Sequence, residues 1–376
     1  MKTNLKLGAA VGGLMALCSF AAAAQDLPDT MVWTSYDVGS AGYAEASAIA
    51  DAFGKQFGTR VRIQPSGSGI GRLQPLLQGR ADYAFLATEA FFLSEGAYDF
   101  ASPEWGPREL RAVAGRPAGI TLIAAGDAGI ETVADARGKR IAFVAGNPSV
   151  NVKCEAILAF GGLTLDDVEV VTFPTYSSAM SSMTRNESDA TCTTPTTSQL
   201  YELAESPRGI HYAPLDADNA EGWEGLLKVL PIMTPSDEDV AAGLAEGEIA
   251  KMAAYRYPVI TTTVGKSADD VYAFIKALDE TYDIYKNGTA TMTRWALEKS
   301  GRPAIDVPFH EGAVRYLKEK GIWTDKDDAW NAKRIARMDA LVAAWDGFKA
   351  ENGDLADEAF AAAWMARRAG VIAGLN

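Results

Sequence analysis

Histidine is almost missing from this chain: His211 and His310 are the two among 376 residues, and they lie far apart. That removes the side chain most used for proton transfer near neutral pH and for metal ligation. A structural or surface role is the expectation for each. Cysteine is nearly as scarce, with three residues and no C-x-x-C pair. The motifs H-E-x-x-H, G-x-S-x-G, S-x-x-K and a glycine-rich loop ending in Lys-Ser or Lys-Thr are all absent, which leaves no recognisable metalloprotease, hydrolase-elbow or nucleotide-loop chemistry. Basic tracts are missing too, and the net charge is −14. Nucleic acid and anionic membrane are therefore excluded as expected partners, and neither a metal nor a cofactor is expected.

What is present begins with "MKTNLKLGAAVGGLMALCSFAAAAQD". Lys2 and Lys6 form a basic start, Leu7 to Phe20 an apolar run, and Ala22 and Ala24 a small-residue cleavage site. This is the pattern of a cleaved signal peptide, 1–24, and it is too short for a membrane span. Leu17 stands where a lipobox before Cys18 would need a small residue. The expectation is a soluble periplasmic protein. No later stretch is apolar for long enough to cross a bilayer. About 350 residues remain, enough for roughly two domains. In an oxidising compartment Cys154 and Cys192 form either a disulfide or two buried thiols; spacing does not decide between them.

Strand and helix patterns alternate through the first half. Met31–Ser35, "TRVRIQP" and "DYAFLA" read as strands around helices at Tyr43–Phe57 and Ile70–Gln78. A second unit repeats the layout: "KRIAFVA", "DVEVVTF" and "DATCT" surround helices at Val150–Phe160 and Ser177–Thr184, with Gly119–Ala125 as a strand before them. Equal spacing separates Ser40 from Asp82 and Asn147 from Asp189. Two similar βαβαβ units with parallel strands follow. Further on, "YPVITTTVG" reads as a strand, and Val271 to Tyr285 as one amphipathic helix. Terminal helices are expected over Asn331–Asn352 and Glu358–Ile372, with Trp330, Trp345 and Trp364 packing them down.

The paired carboxylates Asp166–Asp167 and Asp269–Asp270 read as helix starts that offset the dipole. Neutral donors are left as the candidate chemistry. "VGSAGY", "SGSG", "GNPSV" and "TYSS" each precede an expected helix. Exposed amides at helix starts attract anions, and Ser, Thr and Tyr hydroxyls extend the set. Taken singly, each is an ordinary cap. Two in each similar unit, with the hydroxyl-rich "TCTTPTTS" after a strand, point to a shared ligand cleft. "SGSGIGRL" is expected to be a main-chain cradle for a small anion.

"GSAGYAEASAIADAF", "PSGSGIGRLQPLLQGRADYAFL", "GKRIAFVAGNPSVNVKCEAILAFGGLTLDDVEVV" and "VPFHEGAVRYLKEKGI" resemble the TAXI family of extracytoplasmic solute-binding proteins, which serve TRAP-type transporters. The resemblance covers roughly residues 30 to 325, and the last motif, with His310, Gly312, Ala313, Tyr316 and Gly321, is its most specific part. It implies an α/β, type II periplasmic-binding-protein fold: two α/β lobes with a hinge and an interlobe cleft, plus C-terminal helices. The expected boundaries are 25–116 with 258–376 for lobe one, including helices over 326–376, and 117–257 for lobe two.

Carried over by that resemblance, the ligand positions are Gly39, Ser40, Tyr43, Ser66, Gly67, Ser68, Gly69, Thr88 and Glu89 in lobe one. In lobe two they are Asn147, Ser149, Val150, Tyr176, Ser177, Thr193 and Thr194. Arg72 joins them as a candidate clamp for a carboxylate, against a solvated helix face; Lys153 poses the same choice. The sequence departs from the family where Asn147-Pro148-Ser149-Val150 replaces a Gly-Ser-Gly-Thr pattern, losing an amide at Pro148 and a hydroxyl at Val150. The implied role is a monomeric, non-enzymatic receptor that hands a small organic acid or amino acid to TRAP membrane subunits. Glutamate, glutamine and 2-oxoglutarate are the leading ligands. A receptor for a sensor kinase and an exported enzyme on a two-lobed scaffold are the alternatives.

Overall fold

The computed structural model describes Met1, residues 27–303 and residues 307–375. Apart from Met1, the expected leader with Cys18 and the cleavage site at Ala24 lies outside the described residues. Strand β1 (Thr30–Ser35) leads to α1 (Ala41–Phe57), β2 (Arg60–Pro65), α2 (Gly69–Leu77) and β3 (Tyr83–Leu86). Then come α3 (Glu89–Glu95), β4 (Leu110–Ala125), β5 (Arg140–Val144), α4 (Pro148–Phe160), β6 (Glu169–Phe173), α5 (Tyr176–Ser182) and β7 (Ala190–Thr193). The chain continues through α6 (Ser198–Glu205), β8 (Ile210–Tyr212), α7 (Ala220–Val229), β9 (Thr234–Glu238) and β10 (Ala250–Thr263). Helices α8 (Ala268–Glu280), α9 (Tyr282–Tyr285), α10 (Leu297–Ser300), α11 (Glu311–Glu319), α12 (Asp325–Asn352) and α13 (Asp357–Ala373) follow. Among the described residues no helix is long and apolar enough to cross a membrane.

The strands run in the order β2-β1-β3-β10-β4-β7-β5-β6, with β8 added to β4 and β9 to β10. β1 is parallel to β2 and β3, and β5 is parallel to β6 and β7. Each βαβαβ unit therefore places its first strand in the middle. The internal likeness extends to hydrogen bonds. Val32 N donates to the Asp82 carboxylate at 2.9 Å, and Arg140 N donates to the Asp189 carboxylate at 2.9 Å. In both units the aspartate that opens the last strand fastens the first. The fold is the two-lobed α/β arrangement that the resemblance implied.

Trp33 of β1 anchors one core, with Phe53, Phe85 and Phe274 rings 5.4–5.6 Å away. The halves are joined by β4 and β10, antiparallel from Ala253–Ile120 to Thr263–Leu110. Both extend beyond the strands expected from sequence, because burial along almost their whole length erases the polar alternation that marks a strand. The helix expected over Val271–Tyr285 breaks into α8 and α9 at Thr281, whose hydroxyl donates back to Ala277 O at 2.7 Å; such back-bonding competes with regular helix. Cys154 and Cys192 form a disulfide, which ties α4 to β7.

The C-terminal helices α12 and α13 are held by charge and aromatics together. Glu95, buried at the end of α3, accepts from Arg337 at 2.6 Å, pairs with Arg334 at 3.4 Å and also contacts Arg368. The Trp364 indole N–H donates to Gly96 O at 2.7 Å. Trp345, Phe348, Phe360 and Trp364 pack as one cluster, and Trp330 lies half-buried against the main core.

His310 has a structural role. Its Nδ1 accepts the Gly312 amide at 3.2 Å as the cap of α11, which leaves Nε2 to donate to Lys266 O at 3.0 Å. Burial holds its pKa below the ordinary 6.5. A depressed folded-state pKa means that its contribution to stability is complete above about pH 6.5 and is lost as pH falls through the folded value. The melting temperature is expected to drop as pH falls below about 6.5, and His310→Asn, which keeps a capping oxygen, should flatten that drop. Equal slopes in the two proteins, measured by calorimetry, would remove this role from His310.

Candidate functional site

At the crossing of β4 and β10 the two halves enclose a cavity of about 10 Å³ lined by Tyr36, Ile120, Val150, Lys153, Tyr176, Cys192, Thr193, Thr194, Tyr255 and Tyr257. That is about the room of one water. Tyr36 is the first residue past β1, Tyr176 opens α5, and Tyr255 and Tyr257 stand two apart on β10 and so point to one face. The rings pack edge to face: Tyr36 lies 5.7 Å from Tyr176 and 5.0 Å from Tyr257. Their hydroxyls are partnered. Gly42 N of α1 donates to the Tyr257 oxygen at 3.1 Å, and Tyr176 Oη bonds the Thr197 hydroxyl at 2.8 Å and that of Thr193. Burial raises all four phenols, Tyr176 to about 12 and the others well above their ordinary value, so all are neutral donors at physiological pH.

Behind Tyr36 lies a fully buried ion pair. Arg72 donates through Nε and one terminal nitrogen to Glu89 Oε1 at 3.1 and 2.8 Å, and through the other to Ser66 O at 2.9 Å. Its guanidinium stacks 3.5 Å from the Tyr36 ring centre. Glu89 also accepts the Ala87 amide at 2.9 Å. Burial alone would raise the Glu89 carboxyl, but Arg72 and Lys153 outweigh it and hold the group below its ordinary range. Neither member lines the cavity. Lys153, on α4, does: its Nζ donates to Ser149 Oγ at 3.0 Å and sits 4.0 Å from the centre of the Tyr255 ring.

A seam of mostly neutral bonds closes the halves on one another. Gly69 N donates to Gly146 O at 2.9 Å, Asn147 Nδ2 to Gly67 O at 3.3 Å, and Ser177 Oγ to Val38 O at 3.0 Å. Thr88 Oγ1 and Ser149 Oγ share a bond of 3.0 Å. The Asp37 carboxylate accepts Ser177 N at 3.0 Å, and Ser198 Oγ donates to Gly39 O.

The sequence-derived positions thus divide by place. Val150, Tyr176, Thr193 and Thr194 line the cavity, and Thr88 and Ser149 stand beside it. Gly39, Gly67, Gly69, Asn147 and Ser177 lie on the seam. Ser66 and Ser68 fold the same turn, where Ser68 N donates to Ser66 Oγ and Gly71 N to Ser68 Oγ. The amides of Ser66, Ser68, Gly69 and Gly71 are therefore taken up within the protein, with Gly69 N reaching across to the other half. Ser40 caps α1 by accepting Tyr43 N at 3.1 Å, while Tyr43 itself is half-buried and lines no part of the cavity. Gly39 and Ser40 also border a separate cavity of about 310 Å³ with Tyr201 and Thr291. Arg72 does not face water: it is wholly buried, and Glu89 holds it. Tyr36, Ile120, Cys192, Tyr255 and Tyr257 were missed. The Tyr-x-Tyr pair at strand spacing was the signal available for the last two.

Residues 37–321 match the NMT1-like family. The chain belongs to the NMT1-like family. Solved structures give distant likenesses. One is the alkanesulfonate-binding protein SsuA from Xanthomonas axonopodis pv. citri bound to MOPS, at 15% identity, covering 78% of this chain and 85% of that one, with a TM-score of 0.45. Another is an ABC transporter periplasmic binding protein from Brucella ovis with glutathione bound, at 13% identity, 69% and 70% coverage and a TM-score of 0.43. The amino acid ABC transporter substrate-binding protein AbpA from Streptococcus pneumoniae, bound to L-arginine, is 13% identical over 71% of this chain and 96% of that one, with a TM-score of 0.42.

In this NMT1-like protein, removing one partner of a buried pair strands the other charge. Arg72→Met is expected to cost about 3–5 kcal/mol in urea unfolding at neutral pH, and adding Glu89→Gln should restore most of it. A loss within about 1 kcal/mol for the single variant would mean that the pair behaves like a surface bridge.

Proposed function

We propose that this protein is the periplasmic solute receptor of a transporter, that it captures a small carboxylate-bearing metabolite without transforming it, and that TRAP-type membrane subunits receive the solute. The observation that carries the reading is a small cavity at the crossing strands walled by Tyr36 from one half and by side chains of the other. A cleft whose walls belong to two bodies lets a ligand favour the closed form, since it makes its full set of contacts only there. The reading takes 25–116 with 258–376 as one lobe and 117–257 as the other, with hinge motion at β4 and β10. Neutral phenols and hydroxyls bind and orient such a solute; none of them supplies a nucleophile or a base for turnover. The TAXI-like motifs favour a TRAP partner.

The test is a thermal-shift screen of the mature chain with C2–C6 organic acids and amino acids at millimolar concentration. At least one carboxylate should raise the melting point by a few degrees, because a ligand at 100 times its Kd adds about 2.7 kcal/mol to stability. If no carboxylate shifts it, the receptor reading fails. Uptake of the identified solute into proteoliposomes carrying TRAP subunits should require the receptor; receptor-independent uptake would sever the TRAP assignment.

A further inference from the structure

We propose that the cleft selects a small organic anion lacking an ammonium group, and that Lys153 is the residue that meets its carboxylate. The inference rests on the receptor reading above and narrows its ligand class. Lys153 is the charged residue among those lining the cavity, and no Asp or Glu lines it among the described residues. The nearby carboxylate of Glu89 is not among the lining residues and is already taken up by two Arg72 nitrogens, the Ala87 amide and the Tyr36 hydroxyl. A ligand ammonium would find no carboxylate to pair with.

The tyrosines could still be taken for an aromatic cage for a cation. Three of the four rings, however, already carry a protein cation over a face: Arg72 over Tyr36 at 3.5 Å, Lys153 over Tyr255 at 4.0 Å and Arg116 over Tyr257 at 5.9 Å. A second cation in that cage would meet like charge. An anion meets the lysine and, around it, the hydroxyls of Ser149, Thr193 and Thr194. Lys153 is also held in place. It is buried, its Nζ is fixed by Ser149, and its neighbour Cys154 is bonded to Cys192 of the strand that carries Thr193. A positioned charge in a water-poor site interacts more strongly than the same charge in solvent.

The experiment is titration calorimetry on the mature chain with acids paired by a single change: pyruvate against alanine, 2-oxoglutarate against glutamate, and lactate with glutamine and arginine as further arms. Within a pair the oxo acid is expected to bind at least about tenfold tighter than the amino acid. Lys153→Met should weaken the preferred anion by on the order of 100-fold, and Lys153→Arg should recover part of the affinity. If the amino acid of a pair binds as tightly or tighter, or Lys153→Met keeps wild-type affinity, the inference is overturned while the receptor reading stands. If no acid or amino acid binds the wild-type chain, both fall. The wild-type comparison decides the ligand class even where the methionine variant does not fold.

Discussion

The structure depends on two strands that belong to both halves at once. β4 and β10 pair antiparallel from Leu110 to Ile120 on one side and from Thr263 to Ala253 on the other. β10 also pairs with β3, and β4 with β7. Each parallel βαβαβ unit is thereby stitched to one shared ribbon. Two such strands restrict relative motion to bending and twisting about the crossing, which suits a hinge better than a single flexible linker. The crossing is also where Tyr255, Tyr257 and Ile120 line the cavity, so the strands that join the halves form its floor.

Buried charge marks the joints of this arrangement. Arg116 of β4 donates through two nitrogens to Glu45 of α1, and the same carboxylate takes the Trp295 indole N–H at 2.7 Å and the Thr291 hydroxyl at 3.0 Å. Arg72 and Glu89 join α2 to α3 beneath the cavity wall, and Glu95 receives the arginines of α12 and α13. Apolar replacements of similar volume would often be as stable. What these pairs supply is direction: a carboxylate surrounded by matched donors accepts one geometry and rejects a slipped one. Beneath Tyr36 this matters for function, since a guanidinium stacked at 3.5 Å fixes the plane of a ring that lines the cavity.

Much of the fold was legible because it is local. The two βαβαβ units show in their periodicity, and Asp82 and Asp189 fall at equal spacing because each performs the same bond to the unit's first strand. The long strands hid their length, since burial on both faces removes alternation. The glycine-rich turn is the instructive case. Its composition indicates a place where something comes close, and something does: a Cβ on Gly67 would lie 2.9 Å from that of Thr175, across the seam. The residues that approach lie about a hundred positions downstream, and nothing in the turn's own sequence names them. Tyr36 was unreadable for the same reason, because its meaning comes from Arg72 on one side and Tyr257 on the other.

The seam accounts for how such a molecule stays responsive. Its bonds are mostly neutral hydroxyl, amide and carbonyl contacts, each worth about 0.5–1.5 kcal/mol net, because water replaces them when they open. Asp37 on the Ser177 amide is the charged exception, and it is a half-buried one. A seam of that kind closes the halves without locking them, whereas the ion pairs within each half would cost several kcal/mol to break. In the receptor reading this seam of modest contacts is the one that opens for a solute to enter. A solute held between the halves adds its contacts across the same plane. It then needs to contribute only a few kcal/mol to decide the equilibrium.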